Sequence, residues 1–243
     1  ILSILDAFDF YDLNSRFLIF PFAGLGNLQS LIDQKSIEDD HITVCFHQTA
    51  LGLQYMHSLN IVHRDIKPEN ILCFSESYFV LSDFSVSSQM KDDQQFIEDT
   101  KGSPAFLSPE ECSGDPFLPK PADVWAYGVS LYSSIFGFLP YKLGEAENRS
   151  IANTVIVVTD MLQTQKLTFP KKTINNNSVD KDLIALLRDV LNKDPTKRPS
   201  FDQIVKYKCF KDAWPIHEAN VRQDQLLAEE ENRLNENQDN PPD

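Results

Sequence analysis

Basic residues are scarce in this chain: 22 Lys and Arg face 36 Asp and Glu, a formal net charge of −14 over 243 residues. A surface of that sign repels a phosphate backbone, which excludes nucleic-acid binding through a basic footprint. Cysteine is sparse too. Cys45, Cys73, Cys112 and Cys209 lie far apart and form no C-x-x-C pair. That excludes a disulfide scaffold or a cysteine-rich zinc site and fits a reducing compartment, so a cytoplasmic location is expected. Long apolar runs are missing: nothing approaches the roughly 18–20 residues of a membrane span, and 155–158 is only a short patch. No internal repeat is visible. Methionine occurs three times, first at Met56, and residue 1 is Ile, so the chain is expected to be a piece of a longer protein. What is present is ordinary for a globular domain, with 42 % hydrophobic residues and enough length to bury a core.

Two short aromatic segments come first, at 1–10 and 16–23, separated by the turn-like Asp12-Leu13-Asn14-Ser15. They predict a hairpin. After Gly24 and Gly26 the texture turns helical. Ser36 followed by Asp39 predicts a capping box, and Ile42, Phe46, Thr49, Leu53 and Met56 recur at helical spacing over 38–59. Short apolar pieces at 71–74 and 78–81 predict small strands. The polar stretch 91–119, with four prolines, reads as a long surface loop, a length that points to function in a compact domain. Pro121 is expected to open a helix that is apolar nearly all round until Gly137 ends it, and such a helix is buried. Further helical patterns cover 149–166 and 179–191, with Asn175-Asn176-Asn177 between them as a loop. From Ile216 onward eight acids face two bases and no aromatic occurs, which predicts an exposed acidic tail. Strands come first and helices follow, the order of an α+β chain.

One stretch carries chemistry: His63-Arg64-Asp65-Ile66-Lys67-Pro68-Glu69-Asn70. Any single residue of it has an ordinary structural explanation, His63 as a core histidine, Arg64-Asp65 as a surface pair. The whole string matches the catalytic loop H-R-D-x-x-x-x-N. Asp83-Phe84-Ser85 follows, then Ser108-Pro109-Glu110, then Asp123-Val124-Trp125-Ala126-Tyr127-Gly128, then Arg198 before Pro199. In this order and spacing the chain resembles the eukaryotic protein kinases over about residues 1–210.

The resemblance implies an α+β, protein-kinase-like fold: a mostly helical C-lobe over 24–215, preceded at 1–23 by a remnant of the smaller lobe's sheet and the hinge, and followed by a tail at 216–243. It implies ATP and Mg2+ as cofactors. Transfer of a γ-phosphoryl group spreads negative charge over its oxygens, so the site needs cations and positioning. On the resemblance, Asp65 orients the substrate hydroxyl and Lys67 offsets charge on the phosphoryl group. Asn70 and Asp83 hold Mg2+, and hard oxygen ligands suit that ion. Phe20 lies at the back of the adenine pocket, Pro21 and Ala23 offer hinge backbone to adenine, Leu72 packs on its face, and Glu69 joins the ATP site. Gly24-Leu25-Gly26 is not the phosphate loop, since it lies after the hinge and lacks a third glycine.

Arg64 implies an anion on the activation segment 83–110, with Thr100 the expected phosphate acceptor. Ser103 stands where serine/threonine kinases carry a hydroxyl reaching the catalytic Asp and Lys, so protein Ser/Thr hydroxyls are the expected substrates. Glu110 and Arg198 are expected to pair, with Asp123 structural. His63–Glu69, the 102–106 string Gly-Ser-Pro-Ala-Phe and Leu167-Thr168-Phe169-Pro170 are similar to the calcium/calmodulin-dependent protein kinase kinases, which makes another kinase an expected protein substrate. A calmodulin site wants a basic amphipathic segment, and the acidic tail argues against calmodulin control.

Two departures stand out. Ser85 replaces the glycine of Asp-Phe-Gly and removes backbone freedom there. No glycine-rich loop, strand lysine or helical glutamate partner precedes the hinge, and the first lysine is Lys35. By itself the chain is therefore expected to bind ATP poorly and transfer little phosphate. A non-catalytic docking module and an inactive fragment are the alternatives to an enzyme.

Overall fold

The computed structural model describes residues 1–10, 15–141 and 151–211, with 213, 215 and 219, and leaves aside the side chains of 151–154 and 161–163. The expected turn at 12–15, apart from Ser15, and nearly all of the acidic tail lie outside the described residues. The aromatic segments form strands β1 (Asp6–Phe10) and β2 (Ser15–Ile19), paired antiparallel with Ala7 opposite Leu18 and Phe8 opposite Phe17. Phe8, Phe10 and Phe17 cluster on one face at centroid separations of 5.2–5.7 Å. They remain exposed, so this contact is local to the hairpin.

A short helix α1 (Leu28–Asp33) follows the hinge, with the Asn27 side chain accepting from Ser30 N as its N-cap. The long helix α2 runs Asp39–Ser58 and buries Ile42, Phe46, Thr49, Leu53 and Met56 as its periodicity requires. The capping box expected at Ser36 and Asp39 does not form. Glu38 is the N-cap residue without a side-chain bond, and Ser36 Oγ instead donates to Leu31 O. Position Ser36 closes the preceding helix, since its N–H also bonds Leu31 O at 2.9 Å.

Four small strands flank the 63–70 segment. β3 (Ile61–Val62) pairs with β6 (Ser88–Gln89), and β4 (Ile71–Ser75) pairs with β5 (Tyr78–Leu81), both antiparallel. The 91–119 region is not all loop. It contains a 3-10 turn at Pro104–Phe106 and helix α3 (Pro109–Ser113), which is opened by a Ser108–Glu111 capping box.

Helix α4 spans Pro119–Phe136, two residues longer at its start than expected. Pro119 takes the first position, where a missing N–H costs nothing, and Gly137 at φ 78 ends the helix. Trp125, Tyr127, Leu131 and Ile135 are all within 1 % of complete burial, which makes α4 the axis of the core. Tyr127 Oη donates to Phe46 O at 2.9 Å, so the one polar atom on that ring is satisfied. Helices α5 (Ile151–Thr164), α6 (Lys181–Val190) and α7 (Phe201–Ile204) complete the body. Leu183, Leu186, Leu187 and Val190 form the buried stripe of α6. Among the described residues, no helix is long and apolar enough to cross a membrane.

Candidate active site

The segment between β3 and β4 carries the His63–Asn70 string, and one buried carboxylate in α4 anchors it. Asp123, 2 % exposed, accepts from the backbone N–H groups of His63 and Arg64, each at 2.9 Å, and lies 2.9 Å from His57 Nε2. Burial opposes ionisation, but the contacts with His57, His63 and Arg64 outweigh it and hold the Asp123 carboxyl below its usual range. The bonds bracket a strained residue: Arg64 sits at φ 70, a left-handed conformation a long side chain rarely adopts.

His63 is fully buried, and desolvation pushes its pKa down, so the ring is neutral. Its Nε2 lies 3.0 Å from Ser82 O, and a carbonyl only accepts, so Nε2 carries the proton. Nδ1 is then free to accept from Asp65 N at 3.3 Å. The ring also meets Phe84 edge-on at 5.3 Å. His63 therefore joins the loop to the Asp83-Phe84-Ser85 segment.

Asp65 is held on several sides. Lys67 Nζ donates to its Oδ2 at 2.8 Å and Asn70 Nδ2 to the same oxygen at 3.1 Å, while Ser103 N donates to Oδ1 at 2.9 Å. Burial raises the Asp65 pKa, and the bonds from Lys67 and Ser103 outweigh that, leaving the carboxyl below its ordinary value. Lys67 Nζ also donates to Ser103 Oγ at 2.7 Å. Asp65, Lys67, Asn70 and Ser103 thus form one hydrogen-bonded cluster. Gly102 makes it possible: at φ 92, an added Cβ there would fall 2.2 Å from Arg64 O.

Asp83 reaches the same place through backbone. Ser82 N and Ser82 Oγ both donate to Asn70 O at 2.9 Å, stapling the end of β5 to the loop. Asp83 follows at φ 61 with an exposed side chain, and its Oδ1 accepts from Ser85 N at 3.3 Å. Ser85 thus caps the aspartate's turn with its own N–H.

The stretch that follows the expected hinge residues meets β4 through backbone bonds. Leu25 N donates to Cys73 O at 3.1 Å and Cys73 N to Gly26 O at 2.8 Å, and Asn27 bridges to Leu72, so the segment just after the expected hinge docks against β4. Leu72 is half-buried, as are Pro21 and Ala23. Pro21 has no N–H, so it offers only its carbonyl, and Ala23 O already accepts from Gly26 N at 3.0 Å. Phe20 is 41 % exposed and Glu69 is exposed.

Below the site, Arg198 donates to Glu110 through two parallel bonds of 2.6 and 2.8 Å, to Pro121 O and Asn192 O at 2.8 Å each, and stacks 5.0 Å over Trp125. A bidentate pair of this kind fixes α3, and the segment leading into it, to the core. Thr100 does not face Arg64. Its hydroxyl donates to Glu111 O at 3.1 Å, and the Arg64 guanidinium is occupied by Asp99. Sequence reasoning gave no role to Asp99 or Gly102. An acid directly before the expected acceptor was the available signal for the first, and a glycine beside Ser103 for the second.

The donors suit Mg2+. Asn70 spends its amide N–H groups on Asp65, leaving Oδ1 as an acceptor, and the exposed Asp83 carboxylate supplies a second hard oxygen. Among the described residues no three His, Cys, Asp or Glu side chains gather into a metal cage.

The protein kinase domain profile matches residues 1–210. The chain belongs to the protein kinase family. This kinase chain is 33 % identical over 193 residues to a Dictyostelium discoideum protein named "probable serine/threonine-protein kinase", covering 78 % of this chain and 26 % of the relative. A Dictyostelium discoideum stk11 homolog, named a serine/threonine-protein kinase, is 31 % identical over 218 residues, covering 87 % of this chain and 35 % of the relative. The Caenorhabditis elegans calcium/calmodulin-dependent protein kinase kinase is 26 % identical over 201 residues, with 82 % and 35 % covered. The kinase chain thus spans only 26–35 % of the length of these relatives.

Proposed function

We propose that the chain supplies the catalytic centre of a cytoplasmic serine/threonine protein kinase, transferring the ATP γ-phosphoryl group to protein Ser or Thr hydroxyls. The observation that carries this reading is the Asp65 cluster: a carboxylate held by Lys67, Asn70 and Ser103 within 3.1 Å. A docking surface has no need of an acid fixed in this way. Asp65, ionised at neutral pH, accepts a hydrogen bond from the incoming hydroxyl and orients its oxygen toward the phosphorus. Lys67 lies beside it and offsets the negative charge that gathers on the moving group. Asn70 and Asp83 hold Mg2+, which when bound neutralises charge on the ATP phosphates. Pro21, Ala23 and Leu72 receive the adenine, with Phe20 behind it and Glu69 at the edge of the site.

The lysine-to-Ser103 bond at the acceptor side supports aliphatic hydroxyl substrates. A further kinase as substrate is supported by likeness to the relative named as a kinase of kinases. Asp65→Asn in the full-length protein tests the reading. Transfer to a protein substrate should fall by about 100-fold or more with an unchanged melting temperature. Undiminished transfer would remove Asp65 from the chemistry and leave the docking module standing.

A further inference from the structure

The activation segment is fastened at several points that involve no phosphate. Ile97 and Phe117 exchange backbone bonds of 2.9 and 3.0 Å, Thr100 Oγ1 donates to Glu111 O at 3.1 Å, and Ser103 N donates to Asp65 at 2.9 Å. Between these lies Asp99. The Arg64 side chain, 4 % exposed, faces it with both terminal nitrogens: Nη2 is 3.1 Å from Asp99 Oδ1 and Nη1 is 3.3 Å from Oδ2. Nη2 also donates to the Asp99 backbone oxygen, and Nη1 to Ser88 Oγ at 3.1 Å. The guanidinium therefore grips residue 99 by side chain and backbone together.

A buried guanidinium needs an anion, because an unpaired charge removed from water is costly. In this chain the anion is already encoded. Asp99 is three residues before Gly102 and four before Ser103, and Arg64 adjoins Asp65, so the pair ties the segment to the catalytic carboxylate from both chain directions. Lys101 Nζ, 3.1 Å from Asp99 Oδ2, adds a second cation on the outer side. A phosphate on Thr100 would have to break the bond to Glu111 O and place a dianion beside the Asp99 carboxylate.

We propose that Asp99 is a positioning residue that orders the activation segment through Arg64, so that the substrate platform forms with no phosphate on Thr100. This rests on the kinase reading above for its activity arm but not for its structural arm. The test uses full-length protein freed of phosphate by phosphatase and checked by mass spectrometry, as wild type, Asp99→Asn and Asp99→Glu. Amide hydrogen exchange over residues 97–104 and the KM for a protein substrate are measured together.

Asp99→Asn should speed exchange in that segment about tenfold and raise the protein-substrate KM about tenfold while leaving the ATP KM unchanged, the effect of removing one charged partner of a buried cation. Asp99→Glu should recover most of both losses. Phosphate-free wild type should keep slow exchange and full activity. Loss of segment protection on phosphatase treatment, or unchanged exchange in Asp99→Asn, would overturn the proposal. Should every variant lack activity, the kinase reading fails, and the exchange data still decide the role of Asp99.

Discussion

Gly102→Ala is the sharpest test of how the activation segment meets the catalytic loop. The added Cβ would lie 2.2 Å from Arg64 O and 3.3 Å from both Arg64 C and Asp65 Oδ1. The first contact is about 0.8 Å inside the closest approach a real Cβ makes, and it is against backbone. Arg64 cannot retreat easily, because its own N–H is held by buried Asp123 at 2.9 Å. The φ of 92 adds strain that any L side chain would feel. Overpacking against backbone costs about 1–3 kcal/mol and a forced positive φ a similar amount, so the segment gives way before the loop does. Its movement lengthens the Ser103–Asp65 bond of 2.9 Å and the Lys67–Ser103 bond of 2.7 Å. A displacement near 1 Å at a reacting group is worth about 100-fold in rate.

The expected result in full-length protein is a fall in kcat of about 100-fold with a nearly unchanged KM for ATP. Gly114→Ala is the matched control: Gly114 has φ 82 and no atom within 4 Å of the added Cβ. It should cost only about 1 kcal/mol of stability and no activity. Wild-type turnover in Gly102→Ala, or equal losses in the two variants, would refute the argument from close approach.

The remaining expectations concern stability. Glu110→Ala leaves the fully buried Arg198 side chain without its carboxylate, and should cost about 3–5 kcal/mol in urea unfolding. Glu111 is nine-tenths buried, and burial raises its carboxyl from 4.5 to about 7 although the Ser108 bonds oppose the rise. A carboxylate raised on folding stabilises most below its unfolded value, so its contribution is present at pH 4.5 and lost as pH climbs through 7. Relative to Glu111→Gln, wild type should therefore lose on the order of 1–3 kcal/mol between pH 5 and pH 8. An equal pH dependence of the two unfolding midpoints would count against it.

Local order was written in the residues. The period of Ile42, Phe46, Thr49, Leu53 and Met56 fixes which face of α2 is buried, since only one register of a 3.6-residue helix hides all five. The nearly all-apolar run of α4 forces it to the centre, and Gly137 ends it because only a glycine accepts φ 78 there without strain. The catalytic string and its later partners could likewise be named from types and spacing. Boundaries were less legible: Pro119 and Pro121 are both able to open a helix, and Ser36 had two uses open to it, cap or turn. Those choices fall to neighbours distant in sequence. The same holds for the anion that meets Arg64. In the sequence, Asp99 and Thr100 are adjacent candidates 35 and 36 positions away, and nothing in their types ranks one over the other. Tertiary structure ranks them: the Ile97–Phe117 bridge and the Glu111 carbonyl set the rotation of the segment, turning Asp99 inward to the buried guanidinium and Thr100 toward α3. Pattern determines which faces are buried because burial is a property of one element at a time, whereas pairing of charges depends on the relative placement of elements, which only the packed chain supplies.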